Sequence, residues 1–294
     1  MSKLYKKLFA LVCAAALLAG CMGLTALADS GEADGAAEAE PVVLTCSEIP
    51  LYIDDVYIGT GILLDSVTYV PLLAFIEYML QDTCDVEWDQ ETGTAMIEAE
   101  ELELSLTTTE NFMSVNGRYL YFEDGVYNIN GTIVVPLREL AKIFGLTLEL
   151  VQEEWSIQID AGGSELLSNG EEFYDSDALY WLSHVIYSEA GNQPLEGMIG
   201  VGNVVMNRVS DESGAFPATI EGVIFQYGQF DVARTGAIYM TPNEESVVAA
   251  KLCLEGYNTV GDSKWFVNPY IGMVSWFNQH KTYAVAIGDH AFYS

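Results

Sequence analysis

Tyr69-Val70-Pro71-Leu72 opens a helical stretch that runs through Met79, and 65 residues later Val134-Val135-Pro136-Leu137 opens another that runs through Phe144. A proline in the first helical turn gives up an N–H that has no partner there anyway, so both starts share one cause. Each copy continues into a strand (Asp85-Val86-Glu87-Trp88; Thr147-Leu148-Glu149-Leu150), a turn (Asp89 to Gly93; Gln152 to Glu154) and a second strand. This internal duplication confines residues 42–160 to a compact α+β unit of two related halves. The rest of that stretch is strand-like, in short alternating or apolar runs such as Val56-Tyr57-Ile58, Thr94-Ala95-Met96-Ile97, Leu102 to Leu106 and Ile157-Gln158-Ile159.

Charge separates this unit from the C-terminal part of the chain. The chain of 294 residues has 11 Lys plus Arg against 43 Asp plus Glu, a net charge of -32. Binding to a phosphate backbone needs clustered cations, so nucleic acid is excluded as a partner. Residues 29–170 carry -25 and residues 171–294 carry -10, which marks two domains of different character. Half the residues are hydrophobic and 12% aromatic, enough for each half to bury a core. The composition leaves the oligomeric state open.

Lys3, Lys6 and Lys7 followed by the apolar run Leu8 to Gly20 read as a secretory signal over residues 1–28. Two processing sites compete. Leu18-Ala19-Gly20-Cys21 resembles a lipobox that would attach the chain to a membrane through a lipid on Cys21, and Ala26-Leu27-Ala28 is a small-x-small cleavage site. An uncleaved anchor over Leu8 to Ala28 is a third option. Residues 29–41 form an acidic linker, and residues 161–170, rich in Gly and Ser, form another ahead of a second domain at 171–294. Beyond the signal only Cys46, Cys84 and Cys253 remain, too few for a disulfide framework or zinc knuckle. A Cys46–Cys84 bridge and three small buried hydrophobes are the two readings of that set.

The chemistry is concentrated in the second domain. Asp175 or Ser176 can cap a helix over about 177–190, ended by Gly191 and Asn192 in the left-handed conformation. Leu179, Leu182, Val185 and Ile186 form its apolar stripe, and Glu189 falls on that stripe. A carboxylate there loses hydration and faces the negative end of the helix dipole, so its pKa rises. A carboxyl that keeps its proton near neutrality is what a general acid needs to protonate a glycosidic oxygen. Pro194 starts a second helix bearing Met198, Val201, Val205 and Val209 on one side. Gly197, Gly200 and Gly202 within it point to close approach by another backbone or a ligand, and Asn203, Asn207 and Arg208 supply polar contacts at its far end.

The duplicated unit resembles the N-terminal-like domain of copper amine oxidases, a stalk-like α+β module, which implies a wall-facing spacer or adhesion role. The name does not imply copper, because His184, His280 and His290 all lie outside residues 42–160 and imidazole is a usual copper ligand.

The stretch Ile186-Tyr187-Ser188-Glu189-Ala190-Gly191, then Glu196 through Val209, resembles the spore cortex-lytic, or cell wall hydrolase, family. Phe216-Pro217, Gly228-Gln229-Phe230, Asn268-Pro269 and Gly288-Asp289-His290 follow in the family's order. The resemblance implies peptidoglycan glycan strands as the partner and cleavage between N-acetylmuramic acid and N-acetylglucosamine by a lytic-transglycosylase-like route. It implies Glu189 as the catalytic residue, with no cofactor and no metal. The chain departs from many relatives in having Asn192 and Gln193 where they carry a second glutamate, which disfavours a two-carboxylate mechanism. Asp231 and Asp289 are the candidates for a partner from elsewhere. Gln229 and Phe230 are candidate sugar contacts, with Tyr227, Tyr239, Trp265 and Trp276 as possible cleft aromatics, Asn268 as contact or turn former, and His290 as a cleft-lining residue.

Two other functions compete with this one. A non-catalytic wall-binding or sensor protein would not need Glu189. A zinc amidase would need His184, His280 and His290 to converge without a His-Glu-x-x-His spacing. The expected architecture is therefore α+β throughout: a duplicated small α+β stalk domain followed by an α+β lytic-transglycosylase-like catalytic domain, exported or cell-surface.

Overall fold

The computed structural model describes residues 46–81, 84–163, 165–270 and 274–294. The expectations for the signal, Cys21 and the acidic linker lie outside the described residues. The chain divides into two compact units, one running up to Asn116 and resuming over Leu120–Ser168, the other made of Gly117–Tyr119 and Asn169–Ser294.

The first unit is ordered β1 (Cys46–Ile53), β2 (Val56–Leu64), β3 (Val67–Pro71), α1 (Leu72–Leu80), β4 (Asp85–Asp89), β5 (Thr94–Ala99), β6 (Leu102–Thr107), β7 (Phe112–Val115), β8 (Arg118–Tyr121), β9 (Tyr127–Ile129), β10 (Thr132–Pro136), α2 (Leu137–Ile143), β11 (Thr147–Val151) and β12 (Ser156–Asp160). The duplicated halves are β3–α1–β4–β5 and β10–α2–β11–β12. They meet through matching residues, because β3 and β10 pair antiparallel with Val70 opposite Val135.

Pro71 and Pro136 are the caps of α1 and α2 rather than first-turn residues. Their φ values of -61 and -57 suit the helix, while their extended ψ still ends a strand. Both helices press apolar faces into one core, Leu72, Phe75 and Ile76 from the first and Leu137, Leu140 and Ile143 from the second. The halves then diverge. β11 and β12 join a seven-stranded sheet in the order β11-β12-β1-β2-β3-β10-β9, with β12 parallel to β1, whereas β4 and β5 start a five-stranded sheet in the order β4-β5-β6-β7-β8. Strand alternation is plain in β6, where Leu102, Leu104 and Leu106 are buried and Glu103 is exposed.

The expected linker over 161–170 is partly docked. Leu166 and Leu167 pack on the first core, and the Leu167 N–H donates to the Ile143 carbonyl at 2.8 Å. Cys84 is half-buried against the same core, Cys253 is a buried free thiol, and the Cys46 side chain lies outside the described residues.

The second unit runs α3 (Gly170–Phe173), α4 (Ser176–Ala190), α5 (Leu195–Val209), α6 (Ile220–Phe225), α7 (Asp231–Thr235), a 3-10 turn (Ala237–Tyr239), α8 (Glu244–Leu254), β13 (Trp265–Val267), α9 (Val274–His280), β14 (Tyr283–Ile287) and β15 (His290–Tyr293). Helices α4, α5 and α8 pack on one another, and a small antiparallel sheet completes the unit in the order β13-β15-β14. Mixed α and β content, helical at its start, is what the sequence led us to expect.

α5 is the central element, with every residue from Gly197 to Val205 buried. A Cβ on Gly200 would stand 2.8 Å from the Phe292 ring and 2.9 Å from Val260 Cγ1. One on Gly202 would stand 2.6 Å from Cys253 Sγ. The close approach at Gly200 and Gly202 is therefore by neighbouring side chains and not by the backbone or ligand expected from the sequence. Asn203 and Asn207 then fasten the 257–263 loop: Asn203 donates to the Tyr257 carbonyl at 2.8 Å and accepts from the Thr259 N–H at 2.9 Å, and Asn207 donates to the carbonyls of Gly261 and Ser263. Among the described residues no helix is long and apolar enough to cross a membrane.

Candidate active site

Asp175 caps α4 by accepting from the Ala178 N–H at 2.8 Å, and this fixes the phase of the helix. Leu182, Val185 and Ile186 are fully buried, and Glu189, one turn later on the same stripe, is half-buried in the last turn. The left-handed end expected at Gly191 does not occur, since its φ is -64. Glycine is needed there for another reason: a Cβ would stand 2.5 Å from the Tyr187 carbonyl oxygen and 2.7 Å from its Cδ2, and the Gly191 N–H continues the helix to that carbonyl at 3.0 Å.

The segment from α7 to the start of α8 closes over this helix end. Ser188 Oγ donates to the Ala237 carbonyl at 3.1 Å and to its own helix at His184, while Asn243 Nδ2 donates to the Gly191 carbonyl at 3.3 Å. Asp231 opens α7 as an exposed carboxylate with a loose contact to Arg234 at 3.4 Å. Burial, with the Asp231 charge as the smaller cause, pushes Glu189 up to about 7 from an ordinary 4.5. Glu189 can thus both hold and release a proton at neutral pH.

The other candidates do not gather in one place. Tyr227 is fully exposed and Gln229 is exposed, on a turn closed by the Gln229 N–H to the Gln226 carbonyl at 3.2 Å. Phe230, next to them, turns inward and is buried, 6.3 Å between ring centroids from Phe266, whose ring is 5.1 Å from that of His290. His290 is itself buried. Its Nδ1 has no hydrogen-bond partner among the described residues, and burial lowers its pKa against the opposing charge of Asp289. The imidazole is therefore neutral at pH 7. Asn268 accepts from the Tyr270 N–H at 2.9 Å, an Asx turn. Tyr239, mostly exposed, has its ring centroid 6.3 Å from that of Trp181, and Trp276 stacks on His280 at 4.5 Å.

The three histidines do not converge. His184 Nδ1 is bound to the Tyr180 carbonyl, His280 Nδ1 to the Trp276 carbonyl, and His290 lies among phenylalanines. Among the described residues no group of three or more His, Cys, Asp and Glu side chains is placed to hold a metal ion. Sequence reasoning gave no role to Phe266 or Lys281 and only an open place to Asp231. Each is brought to its neighbours by chain segments too short to carry periodicity.

Residues 192–293 match the family profile described as Cell Wall Hydrolase, beginning three residues after Glu189, and residues 57–178 match that described as Copper amine oxidase N-terminal domain. A spore cortex-lytic enzyme of Bacillus cereus is 30% identical over 119 residues, covering 40% of this chain and 45% of the relative. One from Oceanobacillus iheyensis is 29% identical over 133 residues, covering 45% of this chain and 47% of the relative. The chain spans less than half the length of these two relatives. The solved catalytic domain of the germination-specific lytic transglycosylase SleB from Bacillus anthracis aligns at 30% identity with a TM-score of 0.38, over 44% of this chain and 100% of that domain.

Proposed function

We propose that this chain, which joins a copper amine oxidase N-terminal domain to a cell wall hydrolase domain, cleaves the bond between N-acetylmuramic acid and N-acetylglucosamine in peptidoglycan, as a lytic transglycosylase with Glu189 as its one catalytic carboxylate. The observation that carries this reading is the position of Glu189 on the buried stripe of α4 with its pKa pushed up to about 7. A carboxyl so raised keeps at neutral pH the proton that the reaction needs, where an ordinary carboxyl would have lost it.

The steps start from that proton. Glu189 donates it to the glycosidic oxygen as the bond from that oxygen to the muramic anomeric carbon breaks, which frees the N-acetylglucosamine hydroxyl. The muramic 6-hydroxyl oxygen then bonds to the anomeric carbon, and its proton passes to the Glu189 carboxylate. The products carry a 1,6-anhydro end, no water is consumed, and Glu189 returns to its starting state. One carboxyl suffices because donation and acceptance occur in sequence. The chain acts outside the cell after export through residues 1–28, free or held by a lipid on Cys21, with the duplicated unit as its wall-facing spacer.

Mass spectrometry of peptidoglycan digested by the purified protein tests this reading. Anhydro-muramic ends are expected, and Glu189→Gln should abolish them. Reducing muramic ends would replace transglycosylation by hydrolysis, freed peptides would indicate an amidase, and full activity in Glu189→Gln would overturn the assignment.

A further inference from the structure

Two cations of the second unit lie on three aromatic rings, and a third, Lys264, stands near one of them. Arg208, 4% exposed, donates from Nε to the Lys264 carbonyl at 2.8 Å and lies between the rings of Phe216 and Phe230, 5.2 and 5.1 Å from their centroids. Its Nη1 has no hydrogen-bond partner among the described residues. Lys281 holds its ammonium 3.0 Å from the centroid of Trp265, whose ring is 6.2 Å from that of Phe216. Lys264 stands close enough to depress the Lys281 pKa, although burial is the larger cause. Asp211, paired with Lys264, is the one acid in an ion pair with any of the three among the described residues.

This arrangement runs against the composition. In a chain with 43 acids and 11 bases, Arg208 and Lys281 stand outside any ion pair among the described residues, the first of them buried. Aromatic faces attract cations but do not neutralise them, and a buried charge without a counter-ion is costly. Two positive charges thus stand without an ion-pair partner among the described residues, in a molecule of net charge -32. The cluster is linked to the site through the chain: Phe230, against Arg208, immediately precedes Asp231, whose charge acts on Glu189.

From this cluster we infer a site for a carboxylate of the peptide arm of the substrate, with Lys281 and Lys264 as the partly exposed contacts and Arg208 as the buried charge behind them. The inference rests on the wall-cleaving reading above. The two sugars joined at the scissile bond are uncharged when the muramic lactyl group is amide-linked, so stacking and neutral hydrogen bonds recognise them. Cations are needed only for the free carboxylates of the peptide that the lactyl group carries. The site selects peptide-bearing muramic acid over bare glycan.

Calorimetric titration of the full chain carrying Glu189→Gln, which binds without turnover, tests the inference. The probe is a disaccharide–tetrapeptide with free carboxylates, compared with the same compound with its carboxylates amidated. Amidation should weaken binding about fivefold, the range of one partly screened charge pair. Adding Lys281→Gln should weaken binding of the free acid to a similar degree and leave the amidated compound unchanged, while Lys281→Arg should keep the preference. Equal affinity for the two compounds, or an equal loss on both with Lys281→Gln, would overturn the site while leaving wall cleavage intact. Inorganic phosphate displacing the free acid at lower concentration than the peptide itself would also overturn it, as a general anion site. Failure to bind either compound, with no glycan cleavage by the unaltered chain, would overturn both readings.

Discussion

Gln193 is tied to Asp289. Its Oε1 accepts from the Asp289 backbone N–H at 2.8 Å and its Nε2 donates to the Asp289 carboxylate at 3.3 Å, so the loop between α4 and α5 is fastened to the turn between β14 and β15. Gly288, at φ +56, packs against the same amide and against Pro194. Gln193, one of the two residues standing where the family resemblance implies a second glutamate, is thus a structural clasp in this chain. Gln193→Glu would set two carboxylates against each other and remove a donor, a loss of about 1–2 kcal/mol. The expected result at pH 7 is a melting point lower by roughly 2–6 °C, with much of the loss recovered at pH 4, and no gain of reducing muramic ends. Unchanged stability with new hydrolytic product would show that the position is catalytic after all.

What could be read from the sequence was local. The capping of α4 by Asp175, the placement of Glu189 on its apolar stripe and the two strand–helix–strand copies all depend on residues within a few turns of one another. What could not be read was set by distant partners. Nothing within β4 and β5 says that they join a different sheet from β11 and β12, because edge availability decides it. Gly191 looked like a left-handed helix end, yet the Tyr187 carbonyl and ring, which a Cβ would strike, are what require it. Arg208 looked like a polar helix end and is a buried cation between rings supplied by two loops.

The raised pKa of Glu189 is also a statement about stability. Between an ordinary 4.5 and about 7 the folded chain holds a proton that the unfolded chain releases, so stability falls as pH rises through that window and stays lower above it. Glu189→Gln removes the charge and its desolvation cost. Above pH 7 it should be more stable than the unaltered chain by up to about 3 kcal/mol, and below pH 4.5 the two should be alike. Denaturant unfolding at pH 8 and pH 4 reads this directly, and equal midpoints at pH 8 would mean that the carboxylate is well solvated.

Two glycines of α5 should respond oppositely to alanine. At Gly200 the new methyl would meet Phe292 and Val260 at 2.8 and 2.9 Å, while at Gly197 its nearest neighbours would be Gln193 and Ile287 at 3.4 and 3.5 Å. Alanine favours a helix by up to about 1 kcal/mol over glycine, and overpacking costs about 1–3 kcal/mol. Gly200→Ala should therefore lose about 1–2 kcal/mol net, whereas Gly197→Ala should be neutral or gain up to about 1 kcal/mol. Chemical denaturation of the two variants side by side separates packing from propensity, and a stable Gly200→Ala would show that the Phe292 ring can move aside.

Asp231 should set part of the pH profile without touching the reacting atoms. Its charge raises the Glu189 pKa, so Asp231→Asn makes Glu189 easier to ionise and, with Glu189 as the proposed general acid, moves the alkaline limb of kcat/KM to lower pH. The side chain is exposed and in loose contact with Arg234, so solvent and salt screen it, and the move should be less than about one pH unit. Burial, the larger cause, keeps the limb well above the ordinary carboxylate range. Asp231→Glu should leave the profile close to its original place, and 0.5 M salt, where the screening length is only about 4 Å, should erase most of the difference between the unaltered chain and Asp231→Asn. A limb that moves upward, or a salt-insensitive loss of rate with no change in profile, would mean that Asp231 acts by holding α7 in place and not through its charge.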